Sequence, residues 1–328
     1  MAAVKMTMID AINLAMRQEM EKDPTVVLMG EDVGKEGGVF RATVGLQEKF
    51  GKERVIDTPL AESGIVGAAI GMACSGLKPI AEIQFSGFMT YAFNQLVDHA
   101  GRLRLRSRGR YHVPMVVRAP YGSGIRALEH HSESTEAVYA HTPGLKVVIP
   151  SGPYDAKGLL VSAIRDPDTV IFLEPMRLYR SVKEDVPEEE YVIPLGKANV
   201  VREGTDISLI GWGSMLRQCL QAADECKERG ISAEVVDLRT ISPLDEKTIC
   251  ASIGKTGRAV VVHEAQRTCG LGAEIVAKAM SHNFLNLKAP VLRVTGYDVP
   301  VPIARLEDYY MPDVFRIMKA VDEVMSFG

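Results

Sequence analysis

The segment DTPLAESGIVGAAIGMACSGLKPIAEIQFSGFM, residues 57–89, places an acidic side chain, Glu62, where an extended run meets a glycine-rich helix. Gly64, Gly67 and Gly71 recur at intervals of three and four residues, so one helix face lacks side chains and another backbone can approach it closely. Two interpretations fit these local features. The helix packs inside one subunit with Glu62 as a solvated acid stabilised by the helix dipole, or it packs against a second copy of the chain beside a functional Glu62.

Short β-branched or apolar runs alternate with segments of helical spacing around this stretch. Each run is followed by small or turn-forming residues and then by a helical pattern, which is typical of parallel strands joined by crossover helices. The sequence therefore predicts an α/β layer fold for the first half of the chain. The runs are VVLMG from residue 26, IAEIQF from 80, PMVVRAP from 114, LKVVIP from 145 and TVIFLEP from 169.

A chain of 328 residues is about twice as long as the usual single core, so two domains are expected. Residues 184–196, EDVPEEEYVIPLG, concentrate acids and two prolines, which indicates a linker. We predict domains at 1–185 and 186–328. The second is a smaller α/β domain, because strand-like runs resume at 206–214, 233–240 and 258–265.

The composition is that of an ordinary globular protein, with 46% hydrophobic residues, 24% charged residues and a net charge of −4. This charge gives no general attraction to nucleic acid or to anionic lipid, and RLRLRSRGR at 102–110 is interpreted as a solvated or subunit-facing surface. We expect no membrane span and no signal peptide. The five cysteines form no C-x-x-C pair, which favours buried free thiols and a reducing cytoplasm.

Several motifs in order along the whole chain resemble the β subunits of E1 components of 2-oxo acid dehydrogenase complexes, of branched-chain or pyruvate type. This resemblance implies a transketolase-like fold with two three-layer α/β domains, a pyrimidine-binding domain followed by a transketolase C-terminal domain. The motifs are TPLAESG (58–64), GLKPIAEIQF (76–85) with a phenylalanine at 88, VFRATVGL (39–46), HHSES (130–134), AEVVDLRTISPLD (233–245) and TGRAVVVHEA (256–265).

The resemblance also implies a binding site for thiamine diphosphate. Glu62 would share a proton with N1′ of the aminopyrimidine, which favours the tautomer that activates the thiazolium carbon. Phe88 would stack on the pyrimidine, and Leu60 and Gln84 would complete the pocket. An apolar wall of Leu60, Ile65 and Phe88 would disfavour a charged carboxylate. A purely structural role of Phe88 in the core is the alternative.

His131 lies in a polar run, ALEHHSES, that interrupts the apolar α/β pattern. Loops of this kind often carry functional groups. The resemblance implies that His131 orients the substrate or an intermediate and assists acyl transfer. The alternative is that His131 and the adjacent His130 form a solvated pair without a role.

The family of thiamine enzymes holds the diphosphate through Mg²⁺ bound by a Gly-Asp-Gly motif, and this motif does not occur in the sequence. We therefore expect an α-type partner chain that holds Mg²⁺ and the charged end of the coenzyme. The expected assembly is an α2β2 heterotetramer with the site at the interface between subunits.

The segments MVVRAP and SAIRDPD resemble a potassium loop of the family. Carbonyl oxygens and carboxylates suit a hard monovalent cation. An Asp-Pro-Asp turn also forms without any ion. The implied ligands are the backbone carbonyls of Met115, Ala163 and Ile164 and the side chains of Asp166 and Asp168.

The predicted function is oxidative decarboxylation of a 2-oxo acid with reductive acylation of the lipoyl group of the E2 acyltransferase. Branched-chain substrates are favoured by GVFRATVGL, FLEP, VVVHEA and FLNLKAPVLRVTGYD. The alternatives are a pyruvate or acetoin dehydrogenase E1 β subunit and a non-catalytic assembly subunit that docks E2. A self-sufficient transketolase-like enzyme is disfavoured by the absence of Gly-Asp-Gly.

Overall fold

The computed structural model describes residues 3–327, which form fourteen β-strands and eleven α-helices. The strands are β1 (Ala3–Thr7), β2 (Val26–Gly30), β3 (Val55–Asp57), β4 (Lys78–Glu82), β5 (Val116–Tyr121), β6 (Lys146–Val148), β7 (Val170–Pro175), β8 (Lys183–Pro187), β9 (Asn199–Arg202), β10 (Ile207–Gly211), β11 (Ala233–Asp237), β12 (Thr240–Ser242), β13 (Ala259–Gln266) and β14 (Leu292–Gly296). The helices are α1 (Met8–Lys22), α2 (Leu46–Phe50), α3 (Glu62–Cys74), α4 (Leu103–Arg106), α5 (Glu136–Ala140), α6 (Pro153–Ile164), α7 (Met215–Glu228), α8 (Glu246–Thr256), α9 (Gly272–Asn283), α10 (Glu307–Tyr310) and α11 (Val314–Met325).

The first sheet has seven strands in the order β12-β6-β7-β5-β4-β2-β3, all parallel except β12. Strands β2, β5 and β7 are buried along their whole length, because helices cover both faces of a parallel sheet. Successive residues of β5 illustrate the two faces. Val116 packs with α1 and α6, whereas Val117 packs with α3. The predicted three-layer α/β arrangement is confirmed.

The second sheet has five strands in the order β14-β13-β10-β11-β9, and only β9 runs antiparallel to its neighbour. Helices α7 and α11 cover one face, and α8 and α9 cover the other. The second part of the chain therefore repeats the three-layer plan on a smaller scale.

The two sheets are joined by more than a linker. Strand β12 comes from the second part of the chain but pairs antiparallel with β6 of the first sheet. Strand β8 pairs with β1, and the predicted limit at residue 185 lies within β8. One apolar core continues from Ile171 in the first sheet to Val236 and Val261 in the second. Side chains at this junction are consequently held from both sides.

Local capping fixes the start of the first helix. The Asp10 amide donates to the Thr7 hydroxyl, and the Thr7 amide donates to the Asp10 carboxylate at 3.0 Å. This reciprocal pair is a capping box, which satisfies two backbone groups that a helix start leaves free. The apolar face of α1 then packs against α6 beneath the first sheet.

A buried ion network ties three strands of the first sheet together. Arg118 on β5 is 1% exposed and donates from Nε and Nη2 to the Glu174 carboxylate on β7, both at 2.7 Å. Its Nη1 donates to Glu82, the last residue of β4. Burial raises the pKa of Glu82, and the Arg118 charge opposes that rise. A charge removed from water requires such partners, so the network fixes the positions of these strand ends.

The sequence also predicts free thiols, no membrane span and a solvated or subunit-facing arginine run. Within residues 3–327 the five cysteines are free, but only Cys219 and Cys226 are buried and Cys269 is exposed, so the expected burial of all five is wrong. No helix in this range is long and apolar enough to cross a membrane. Arginines of the run 102–110 are exposed. Arg102 pairs with Asp98 at 2.8 Å, and Arg104 pairs with Asp168 at 2.7 Å.

Candidate active site

The carboxyl ends of β2, β3, β4 and β5 meet at one edge of the first sheet, called here the carboxyl edge. In open α/β sheets, ligands bind in the crevice outside this edge. A side chain that could take part in binding or catalysis follows each strand. These are Glu31 after β2, Glu62 after β3, Phe88 after β4 and His131 after β5. The fold thus brings to one edge three residues that the sequence singled out in separate motifs.

Glu62 is the first residue of α3 and is only 7% exposed. The preceding Ala61 caps the helix without a side-chain hydrogen bond. Within residues 3–327, no group donates a hydrogen bond to the Glu62 carboxylate and no basic side chain pairs with it. The residue is largely buried, but its carboxylate oxygens are not among the fully buried unpaired atoms, so they stay accessible from outside. This carboxyl is therefore suited to a ligand or a partner from outside the chain.

Glu31 lies beside Glu62 and was not singled out by the sequence analysis. Burial raises the pKa of Glu31, and the charges of Glu62, Asp32 and Glu82 raise it further. Like charges placed together favour the protonated form of one of them. The sequence signal was an acid directly after a strand, at a position where parallel strands end. Glu31 is therefore a group beside Glu62 that can hold a proton at the carboxyl edge.

Phe88 lies in a 3₁₀ turn, Ser86–Ala92, that follows β4. Its ring lies 5.6 Å from Phe85 and 5.1 Å from His131, centroid to centroid. Gly87 permits this arrangement, because a Cβ there would collide with the carbonyl oxygen of His130. The aromatic ring and the histidine loop are thus locked together, with Phe88 only partly buried.

His131 packs edge-on against Phe85 at 4.4 Å, and its Nδ1 is buried without a hydrogen-bond partner within residues 3–327. Burial lowers the pKa of His131, and the positive charge of a protonated His130 lowers it further. The imidazole is therefore neutral at pH 7 and can accept or pass on a proton. His130 is exposed, so the two neighbours have different environments.

Gln84 and Leu60, expected to complete the pocket, also lie at the carboxyl edge. Gln84 Nε2 donates to Asp32 at 3.4 Å, so its amide is directed toward the acidic group. Leu60 is 77% exposed, and Tyr91 and Leu128 nearby are 69% and 51% exposed. Exposed apolar groups next to a site are typical of a surface that another chain covers. The apolar wall predicted around Glu62 is incomplete in the single chain, because the Leu60 side chain points into solvent-accessible space. Ile65, its other aliphatic member, is buried in the core.

Comparisons with known proteins agree with this geometry. Residues 4–182 match the family described as transketolase, pyrimidine binding domain, and residues 196–317 match transketolase, C-terminal domain. A relative from Acholeplasma laidlawii is 55% identical over 95% of both chains, and one from Bacillus subtilis is 53% identical over 98% of this chain and 99% of the relative. Both are named pyruvate dehydrogenase E1 component subunit beta. The chain belongs to the β-subunit family of 2-oxo acid dehydrogenase E1 components.

A solved structure with a much less similar sequence has a similar fold to this E1 β chain. The structure titled "Split gene transketolase, inactive beta4 tetramer" aligns over 99% of both chains with a TM-score of 0.82. The sequences are 21% identical, so the likeness concerns the fold alone. The transketolase-like fold and the family resemblance are confirmed.

The residues predicted to bind potassium lie at the opposite edge of the first sheet, where β5 and β7 begin. Within residues 3–327, no group of three or more metal-ligating side chains is present. The carbonyls of Met115 and Ala163 accept backbone hydrogen bonds, and Ile164 ends α6. Asp166 pairs with a lysine at 2.6 Å and Asp168 with an arginine at 2.7 Å. The potassium site stays a prediction, in competition with these ion pairs.

We expect His131 to titrate below the ordinary histidine value of about 6.5 when followed by NMR of histidine-labelled chain. His130→Ala should raise the pKa of His131, because a neighbouring positive charge is removed, but burial should keep it below the ordinary value. Replacing the exposed and distant His282 by alanine is the matched control and should leave the His131 titration unchanged. An ordinary or elevated pKa for His131 would contradict the burial described here.

Proposed function

We propose that this chain is the β subunit of a thiamine-diphosphate-dependent E1 enzyme that decarboxylates pyruvate. The enzyme then transfers the acyl group to the lipoyl arm of an E2 acyltransferase. The observation that carries the proposal is Glu62 at the carboxyl edge, which is 7% exposed and has no hydrogen-bond partner among residues 3–327. Phe88 and His131 adjoin the same edge, which supports a coenzyme site rather than an assembly role alone.

The chemistry of these side chains fits the coenzyme. Thiamine diphosphate supplies the nucleophilic carbon for attack on a 2-oxo carbon when it is bound. Glu62 would exchange a proton with a pyrimidine nitrogen, and the raised pKa of Glu31 beside it helps to keep a proton available. The partly exposed ring of Phe88 offers a stacking surface. His131, neutral at pH 7, would hold or pass a proton near the substrate.

The chain offers only part of such a site, which supports an α-type partner. The sequence contains no Gly-Asp-Gly, so the diphosphate and its Mg²⁺ would be held by that partner. The exposed Leu60, Tyr91 and Leu128 would be covered by it. On α3, Gly71 faces open space and a Cβ at the exposed Gly67 would meet only Gln95 at 3.8 Å, which leaves room for a second backbone. These features support an α2β2 heterotetramer.

Pyruvate is proposed as the substrate because the relatives at 50–55% identity carry the pyruvate dehydrogenase name. The comparisons do not support the branched-chain preference expected from short motifs such as FLEP. Those motifs lie in strands and loops of the scaffold, where packing shapes the sequence as strongly as the substrate does.

We expect Glu62→Gln to preserve folding and partner association but to lower decarboxylation by about 100- to 10,000-fold, because an amide cannot share the proton. Turnover of the reconstituted enzyme at saturating coenzyme measures this effect. Glu48→Gln, a change at an exposed first-turn acid of α2, is the matched control and should be neutral. Substantial turnover in Glu62→Gln would remove Glu62 from the catalytic site.

The reconstituted enzyme should prefer pyruvate over 3-methyl-2-oxobutanoate in kcat/KM by a factor of about 10 to 200, the usual discrimination for a small apolar difference. Steady-state rates with both acids and one acyltransferase acceptor give the ratio. The reverse preference would retain the E1 assignment and overturn pyruvate as the substrate.

A further inference from the structure

The segment 122–135, called here the histidine loop, carries His131 from the end of β5 to the start of α5. Its base is closed by the Gly122 amide, which donates to the Glu133 carbonyl at 3.1 Å. The Ser86 hydroxyl donates to the same carbonyl at 2.8 Å. These bonds connect the loop to the turn that holds the aromatic side of the site.

A buried glutamate from the second domain also reaches the histidine loop. Glu264 on β13 is 3% exposed, and the Ser134 hydroxyl of the loop lies 3.2 Å from its Oε1. Its Oε2 lies 2.8 Å from the Ser214 hydroxyl within its own domain. Gly122 has a φ of +79°, and a Cβ at this position would collide with Glu264 Oε1. The approach of Glu264 therefore depends on a glycine at the base of the loop.

The tip of the loop makes separate contacts with the same domain. The Arg126 amide donates to Glu307 Oε2 at 3.0 Å, and the Arg126 guanidinium pairs with Asp308 at 2.8 Å. Glu307 is 2% exposed, whereas the pair with Asp308 is solvent-exposed and weak. The second domain thus holds the loop at its base and at its tip.

Charged and titratable groups from several elements surround Glu264. Burial raises the pKa of Glu264 to about 8; Glu136 on α5 raises it and Arg177 lowers it. Tyr121 on β5 and Tyr310 on α10 also face this group, and their hydroxyls are buried without partners within residues 3–327. The Glu264 carboxyl is consequently protonated at pH 7, because burial and Glu136 outweigh the opposing charge of Arg177.

We infer that Glu264 is a positioning residue, which fixes from the second domain the loop that carries His131. The inference rests on the role of His131 in the proposed function. In the neutral state Glu264 bridges Ser134 of the loop and Ser214 of its own domain. Ionisation would leave a buried negative charge beside Glu136, a cost that the hydrogen bonds from Ser134 and Ser214 offset only in part, and opening of the loop to water would relieve it.

The sign of the pH dependence follows from the raised pKa. A carboxyl that holds its proton more tightly in the folded state stabilises that state at low pH, and this contribution is lost as pH rises through the folded pKa. Anchoring of the loop should therefore weaken as pH rises from the ordinary carboxyl value of 4.5 to about 8 and level off above it. In Glu264→Gln, which mimics the protonated carboxyl, the loop should stay anchored at alkaline pH.

The test compares four variants of the full chain by hydrogen exchange of residues 122–135 and by reaction of His131 with diethyl pyrocarbonate. Glu264→Ala and Ser134→Ala should speed both, whereas Glu264→Gln should behave as the unchanged chain at pH 7. Ser214→Ala is the matched control, because it removes a hydroxyl from the same carboxyl but not from the loop. In the enzyme reconstituted with its α partner, kcat should fall on the order of 10- to 100-fold in Glu264→Ala, with coenzyme affinity retained.

Unchanged exchange of the loop in both Glu264→Ala and Ser134→Ala would overturn the inference. If Glu264→Ala does not fold, Ser134→Ala and the pH profile of Glu264→Gln carry the test. Faster hydrogen exchange of the loop with an unchanged kcat in Glu264→Ala would overturn the role of Glu264 in the reaction. The effect of Glu62→Gln on turnover would still test the proposed function separately in that case.

Discussion

The site depends on one constraint, an acidic residue that is largely buried at the start of a helix and has no hydrogen-bond partner within residues 3–327. Only a small part of Glu62 stays accessible to water, and the start of α3 favours its carboxylate through the helix dipole. The arrangement is understandable if another molecule completes the contacts. The neighbouring Glu31, whose pKa is raised, and the exposed apolar Leu60 are consistent with that completion.

The rest of the structure holds this group in place. Arg118 joins the ends of β4 and β7, so the turns that follow those strands start from fixed points. Gly87 allows the turn that carries Phe88 to touch the histidine loop. The second domain contributes Glu264 from β13 and strand β12, and therefore acts on the site although the Glu62 side chain belongs to the first. Two domains of similar architecture thus have unequal roles.

The sequence was sufficient for the α/β class, because buried parallel strands such as VVLMG and VIFLEP have clear apolar runs. The family motifs singled out Glu62, Phe88 and His131 as predicted site residues, and the fold brings them to one edge. The addition of β12 to the first sheet was not predictable, because a three-residue strand carries almost no periodic signal. Glu264 lies in the family motif TGRAVVVHEA, and local sequence gives no reason to single it out. Its contact with Ser134 spans 130 positions of sequence and exists only in the folded chain.

The same limit of local sequence explains why Glu31 was not predicted as a site residue. Its raised pKa arises from burial and from Glu62 and Glu82, which are neighbours only in the folded chain. Local sequence shows an acid after a strand and nothing of its surroundings. The potassium ligands illustrate the opposite case, in which a motif suggests a cation while the folded chain supplies lysine and arginine to both carboxylates.

The central claim is that this chain holds one half of a coenzyme site. Calorimetric titration of thiamine diphosphate with Mg²⁺ into the isolated chain, and into the chain assembled with its α partner, tests it most directly. The account predicts a Kd at least about 100-fold weaker for the isolated chain, equivalent to about 2.7 kcal/mol of binding free energy supplied through the partner. Equal affinity in the two titrations would contradict it.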